Sequence, residues 1–544
     1  MSGVNSKEAL DELLFNIQQK DLIKARLVIE HLAHIDPATQ KRMLFELSKS
    51  DDDFSIPLLV YLIHCHPEIT DQYPTLNELL LTKILDYPEL LIARLAAPVP
   101  ESAVYLRLAG LTRLPEAVPA VMKLLTSTDD VELLESGLHA LGEIGEPTAV
   151  NAITEFLYAD IRTLVLAAVQ ALGRVGNTTA LQRLAERMGG DSELDTMILE
   201  IFARVQNDLA LQKLNETLQS HYAYLRNLAK KHLVAIGAKA VPMLISNLQQ
   251  HDDPDFLIHS LNILGEIGDA SAISPIRKLL DNQPRDANIR FAAYEALGLL
   301  PMERGAYALA AGLVDPVSNV RAAAARAVNG AFSEVLAAGV KNMVRAGGDE
   351  AAVIVRTLLD VQADKIILSM VDEEVFRQVA VPYLGSQIHH SIRNYFLNLF
   401  KQQGHMEIVK LIEAAEGDIT AESGDRPLAC AVDDSRMILK IYQKLLHELG
   451  YEPVLFEFPV TALEWLEKEK PAILFTDLNM PEITGIELIE KVRQRYHREE
   501  LPIIMVTTQN EMQDNQAALA AGVNDILAKP FTAETLRAAI DKHG

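Results

Sequence analysis

The sequence predicts an all-α helical solenoid followed by a doubly wound α/β domain on a five-stranded parallel sheet. Three observations carry this: a helical fragment that recurs every 31 to 33 residues, a small and polar break after residue 415, and a regular alternation of short apolar strands with amphipathic helices beyond it.

The recurring fragment reads Ala140-Leu141-Gly142-Glu143-Ile144-Gly145, Ala171-Leu172-Gly173-Arg174-Val175-Gly176 and Ile263-Leu264-Gly265-Glu266-Ile267-Gly268, with Ala296-Leu297-Gly298 following. Gly142 to Gly173 spans 31 residues, Gly237 to Gly268 another 31, and Gly265 to Gly298 spans 33. A degenerate copy, Ile201-Phe202-Ala203-Arg204-Val205-Gln206, falls at the expected place. A period in this range means stacked helix pairs, with the paired glycines expected to end one helix and turn into the next. A second marker, Ile161-Arg162, Leu225-Arg226, Ile289-Arg290 and Val320-Arg321, opens small-residue helices. Its arginines are read as a structural ladder pairing with acidic neighbours. Residues 1–100 and 336–415 keep helical periodicity without the clean repeat and are read as an N-terminal capping region and C-terminal helical repeats or cap around a 101–335 core. Residues 416–426 are read as a linker.

After the linker come strands at 428–432, 453–456, 473–476, 503–506 and 525–528, each followed by a helix, over a domain placed at 427–544. Ligands of such a sheet sit at the carboxyl ends of its strands. Asp433 and Asp434 follow the first strand, Asp477 ends the third, Thr507 the fourth and Lys529 the fifth. Three carboxylates converging there repel one another, and a hard divalent cation with oxygen ligands relieves that repulsion; Mg²⁺ is the expected ion. A lysine ammonium beside them can pair with Asp477 and then with phosphoryl oxygens, while a threonine hydroxyl donates a further hydrogen bond. That is the chemistry of a phosphorylation switch, in which the protein positions groups and neutralises charge.

Val432-Asp433-Asp434-Ser435, Asp477-Leu478-Asn479-Met480-Pro481, Gly485, Val506-Thr507-Thr508, Ala521-Gly522 and Lys529-Pro530-Phe531, in that order, resemble the receiver domain of bacterial two-component response regulators, a CheY-like, flavodoxin-like fold. The resemblance implies that Asp477 accepts phosphate from a histidine kinase or a small phosphodonor. It further implies that Asp434, Asp477 and the Asn479 backbone carbonyl ligate Mg²⁺ directly and Asp433 through water, and that Thr507, Thr508 and Lys529 bind the phosphoryl group. One position departs from the pattern: Ile526 stands where receivers commonly carry an aromatic residue or histidine, so the signal must leave by another route. The array resembles short HEAT-like repeats of the phycobilisome-lyase type, best over about residues 100 to 335.

The formal net charge of −25 argues against nucleic acid as a partner. Two distant cysteines suit a reducing compartment, and no apolar run reaches membrane-spanning length, so a cytoplasmic protein without membrane insertion is expected. The expected function is a non-enzymatic response regulator whose output is protein–protein interaction by the solenoid with an unknown protein partner. The alternatives are a phosphate sink or relay, and a lyase-type solenoid under receiver control.

Overall fold

The computed structural model describes residues 6–96, 98–220, 222–302, 307–388, 390–415, 426–478, 480, 483–507, 512–529 and 531–543. Two compact units divide at residues 210 and 211. Asn479, Thr508 and nearly all of the 416–426 segment lie outside the described residues.

The unit of residues 1–210 is helical, and its clearest repeats include the helices Val131–Ile144, Arg162–Val175 and Ser192–Val205. The glycine pairs divide their work in a way the sequence reading did not foresee. Gly145 and Gly176 end their helices in the left-handed conformation, φ 76° and 59°. In the degenerate copy Gln206 takes the same place at φ 51°. The first glycine of each pair ends nothing. Gly142 lies inside its helix, where an added Cβ would stand 2.7 Å from the Ala171 Cα, so it sets how closely adjacent repeats approach.

In the unit of residues 211–544 the same logic joins the helices Ala223–Ile236, Pro254–Ile267, Ala287–Leu299 and Ser318–Gly330, each packed on the next. A Cβ on Gly265 would lie 2.9 Å from the Ala296 Cα. The arginine ladder binds backbone carbonyls as well as acids. Arg162 pairs with Asp191 and Glu193, and Arg290 with Asp315 at 2.7 Å. Arg226, Arg290 and Arg321 each donate to the backbone carbonyl six residues earlier, of Ser220, Pro284 and Asp315, at 2.6, 2.8 and 2.7 Å, tying each helix to the turn before it.

Within the same unit lie five parallel strands: β1 (Leu428–Val432), β2 (Glu452–Phe456), β3 (Ile473–Thr476), β4 (Ile503–Thr507) and β5 (Asp525–Ala528), in the order β2-β1-β3-β4-β5. Side chains alternate across this sheet and feed two cores. Cys430, Val432, Leu474, Ile503 and Met505 pack on one face with Leu488 and Ile489. Ala429, Ala431, Phe475, Ile504 and Val506 pack on the other with Tyr442 and Leu536. The single tryptophan, Trp465, packs against the first of these cores, its ring 5.6 Å from that of Phe456. Among the described residues, no helix is long and apolar enough to cross a membrane.

One repeat residue gives this unit an acid-sensitive element. Burial, and then the charges of Arg226 and Lys230, push the His259 imidazole down to about 3. Because its folded pKa lies below the unfolded value, the unfolded chain takes up a proton below pH 6.5 that the folded chain refuses. Stability is full above that pH and falls as the pH drops toward 3. Between pH 7 and 5 the loss is at most about 2 kcal/mol. Urea titrations at the two pH values should show His259→Gln losing less stability by that amount.

Candidate functional site

The sheet order makes β1 and β3 neighbours, so the residues after them meet. The Asp477 backbone N–H donates to the Val432 carbonyl at 3.0 Å, and the Lys529 N–H to the Thr507 carbonyl at 2.8 Å, which fastens the end of β3 to β1 and that of β5 to β4. A carboxylate oxygen from each of Asp433, Asp434 and Asp477 lies within 4.8 Å of the other two. This all-oxygen, acidic donor set fits a hard divalent cation.

Asp433 is fully buried and its carboxylate is engaged at both oxygens. Oδ1 accepts from the Ser435 N–H at 3.0 Å, and Oδ2 from Lys529 Nζ at 2.6 Å. Lys529 Nζ also stands 3.2 Å from Asp477 Oδ1. Burial would lower the Lys529 ammonium, but Asp433 and Asp477 outweigh it and hold the group above its ordinary value. Burial pushes the Asp433 and Asp434 carboxyls up, with Asp477 adding to both. Three acids thus surround Lys529, a cluster that favours a bound cation. Asp477 itself is 8% exposed, and Thr507 is buried at the end of β4. Ile526 pairs with Met505 across β5 and β4 and packs at the edge of one core, with no ring and no hydroxyl to carry a hydrogen bond.

Gly485 fixes the loop that follows Asp477. Its N–H donates to the Leu478 carbonyl at 2.8 Å, and an added Cβ would fall 2.0 Å from the Asp477 carbonyl oxygen. Gly485→Ala should therefore cost about 3 kcal/mol as the backbone is forced apart. It should also slow chemistry at Asp477 about a hundredfold, since a displacement near 1 Å has that effect. Urea unfolding read by Trp465 fluorescence, and phosphate uptake below the melting temperature, check the two parts.

The repeats come close to this site, which no local pattern announces. Asn227 Nδ2 donates to the Met480 carbonyl at 3.4 Å, and the buried Asn319 Nδ2 to the Phe531 carbonyl at 3.2 Å. Lys444, on the helix after β1, pairs with Asp360 at 2.5 Å. Lys230 lines a common cleft with Asp434 and Ser435.

A five-stranded sheet in this order, with an acidic cluster beyond β1 and β3 and a lysine beyond β5, defines the response regulator receiver class. The chain belongs to that family: the response regulator receiver domain matches residues 429–541, and HEAT repeats match residues 241–329. A Campylobacter jejuni "Chemotaxis protein CheY homolog" is 44% identical over 108 residues, 20% of this chain and 83% of its own. Helicobacter pylori "Chemotaxis protein CheY1" is 44% identical over 108 residues, covering 20% and 87%. A solved structure of Vibrio cholerae CheY4 is 31% identical and covers 22% of this chain and 99% of its own, with a TM-score of 0.21. Receiver domains are phosphorylated by histidine kinases and generally bind Mg²⁺ through acidic residues.

Proposed function

We propose that Asp477 is the phosphoacceptor of a response regulator whose output is protein binding by the HEAT-like array. The observation that carries this reading is the convergence of Asp433, Asp434 and Asp477 on Lys529 at the carboxyl ends of the strands. In the transfer, a carboxylate oxygen of Asp477 forms a bond to phosphorus while the donor's phosphorus–nitrogen bond, or phosphorus–oxygen bond in a small acyl phosphate, breaks. The leaving group departs with that electron pair. Lys529 balances the growing charge on the phosphoryl oxygens, and Thr507 and Thr508 donate hydrogen bonds to it. Asp434, Asp477 and the Asn479 carbonyl would hold Mg²⁺ directly and Asp433 through water; the ion would supply charge neutralisation. No general base is needed.

With Ile526 at the usual aromatic position, the phosphoryl state is read through other contacts. Within this reading, residues 1–100 and 336–415 cap the array and residues 427–544 form the switch. Incubating the full chain with phosphoramidate and Mg²⁺ and measuring its intact mass tests this. The expected result is one phosphate per chain, lost on treatment with hydroxylamine, which cleaves acyl phosphates. A chain that stays unmodified, or takes a hydroxylamine-resistant phosphate, overturns it.

A further inference from the structure

The repeats and the acidic pocket face each other across a cleft of about 590 Å³. Its lining includes Lys230, Glu266, Glu295 and Arg326 from the repeats and Asp434 and Ser435 from the α/β domain. Lys230 lies on the helix Ala223–Ile236, one turn after Asn227, whose amide reaches the Met480 carbonyl three residues beyond Asp477. Asn319, three stacked helices further along, reaches the Phe531 carbonyl two residues beyond Lys529. The array therefore touches the loops on both sides of the acceptor, and Lys230 is a cation it carries there.

Geometry places Lys230 beside this pocket: it lines the same cleft as Asp434 and Ser435, one turn from the Asn227 contact. Burial would lower its ammonium, but Glu266 and then the more distant carboxylates hold it above its ordinary value. Its direct partner is Glu266, at 2.8 Å. Glu266 is thus already matched, and Arg326 faces Glu295, whose carboxyl burial pushes up to about 7. Lys230 and Arg326 thus carry the positive field of the repeat side of the cleft. A phosphoryl group on Asp477 adds negative charge opposite that field.

Resting on the reading of Asp477 as the acceptor, we propose that the repeat array is a built-in reader of the phosphoryl group. Lys230 binds it across the cleft, so that phosphorylation tightens docking of the repeats on the pocket. Such a contact supplies a route for the signal that does not need a ring at Ile526. It also makes the array's own helices the first element to respond.

The test uses the full chain with Mg²⁺ and beryllofluoride, a phosphoryl analogue. In the wild type, beryllofluoride should slow backbone hydrogen exchange across Ala223–Ile236 by about fivefold or more. Lys230→Gln should abolish the slowing and weaken beryllofluoride binding in calorimetry by the same factor, as reciprocity of coupled sites requires. Lys230→Arg should restore most of both. Matching Trp465 unfolding curves show whether the variants are folded. Equal affinity of wild type and Lys230→Gln overturns the proposal, as does tight binding with unchanged exchange in that helix. A wild type that binds no beryllofluoride overturns the reading of Asp477 itself, a result distinguishable from the other two.

Discussion

The Asp477→Asn chain will take up no phosphate from phosphoramidate and will nevertheless be more stable than the wild type in the absence of Mg²⁺. The first effect follows from chemistry: a neutral amide offers no anionic oxygen to phosphorus. The buried Asp433 cannot take over. Asp433 is fully buried, with one oxygen held by the Ser435 N–H and the other by Lys529, so no free oxygen can meet a donor. The second effect follows from crowding. Asp477 adds to the upward push on the carboxyls of both Asp433 and Asp434, which is like-charge repulsion stored in the folded state. Removing one of the three charges releases it, for a gain of about 1 kcal/mol. Intact mass checks the first effect, and the urea midpoint of Trp465 fluorescence in EDTA the second. Loss of uptake together with loss of stability would mean that Asp477 is chiefly a structural residue.

The acidic pocket was legible in the sequence because its residues lie immediately after strands whose positions the apolar runs give away. Val432-Asp433-Asp434 and Thr476-Asp477 each read as an element and its functional end, and all five strands fall where the runs place them. The repeats were legible through their period, but the roles of their glycines were not. Gly142 and Gly145 look alike in a string, and only the approach of Ala171 separates a packing contact from a helix stop. The arginines were legible only in part, since Arg226, Arg290 and Arg321 also hold carbonyls that the pattern did not suggest. Lys230 was not legible at all. It is an ordinary lysine on an amphipathic helix, and its meaning comes from Asp434 and Asp477, more than 200 residues away in the chain. Contacts of that kind depend on how a finished domain docks, which no local periodicity encodes.

Replacing Lys529 with methionine should lower the stability of the α/β domain by about 3–5 kcal/mol, the cost of leaving a buried partner charge uncompensated. Lys529 Nζ is 2.6 Å from Asp433 and 3.2 Å from Asp477, and the pair it makes with Asp433 is shielded from water on both sides. Methionine keeps much of the volume, so the loss reports charge rather than a cavity. The pH dependence gives the cause away. A carboxyl whose folded pKa stands above its unfolded value contributes stability at low pH, and that contribution disappears as the pH rises through the folded value. Burial already raises Asp433, and losing Lys529 raises it further, so Lys529→Met should be weaker at pH 8 than at pH 5 by more than the wild type is. Mg²⁺ should return part of the loss, because a second cation can compensate the same carboxylates. The double variant Asp433→Asn/Lys529→Met should recover most of the remainder, since it removes the stranded charge along with its partner. Urea titrations read by Trp465 at the two pH values, with and without Mg²⁺, separate these outcomes. A loss below about 1 kcal/mol with no pH dependence would place the weight of the site on hydrogen bonds to the carboxylates and not on the lysine.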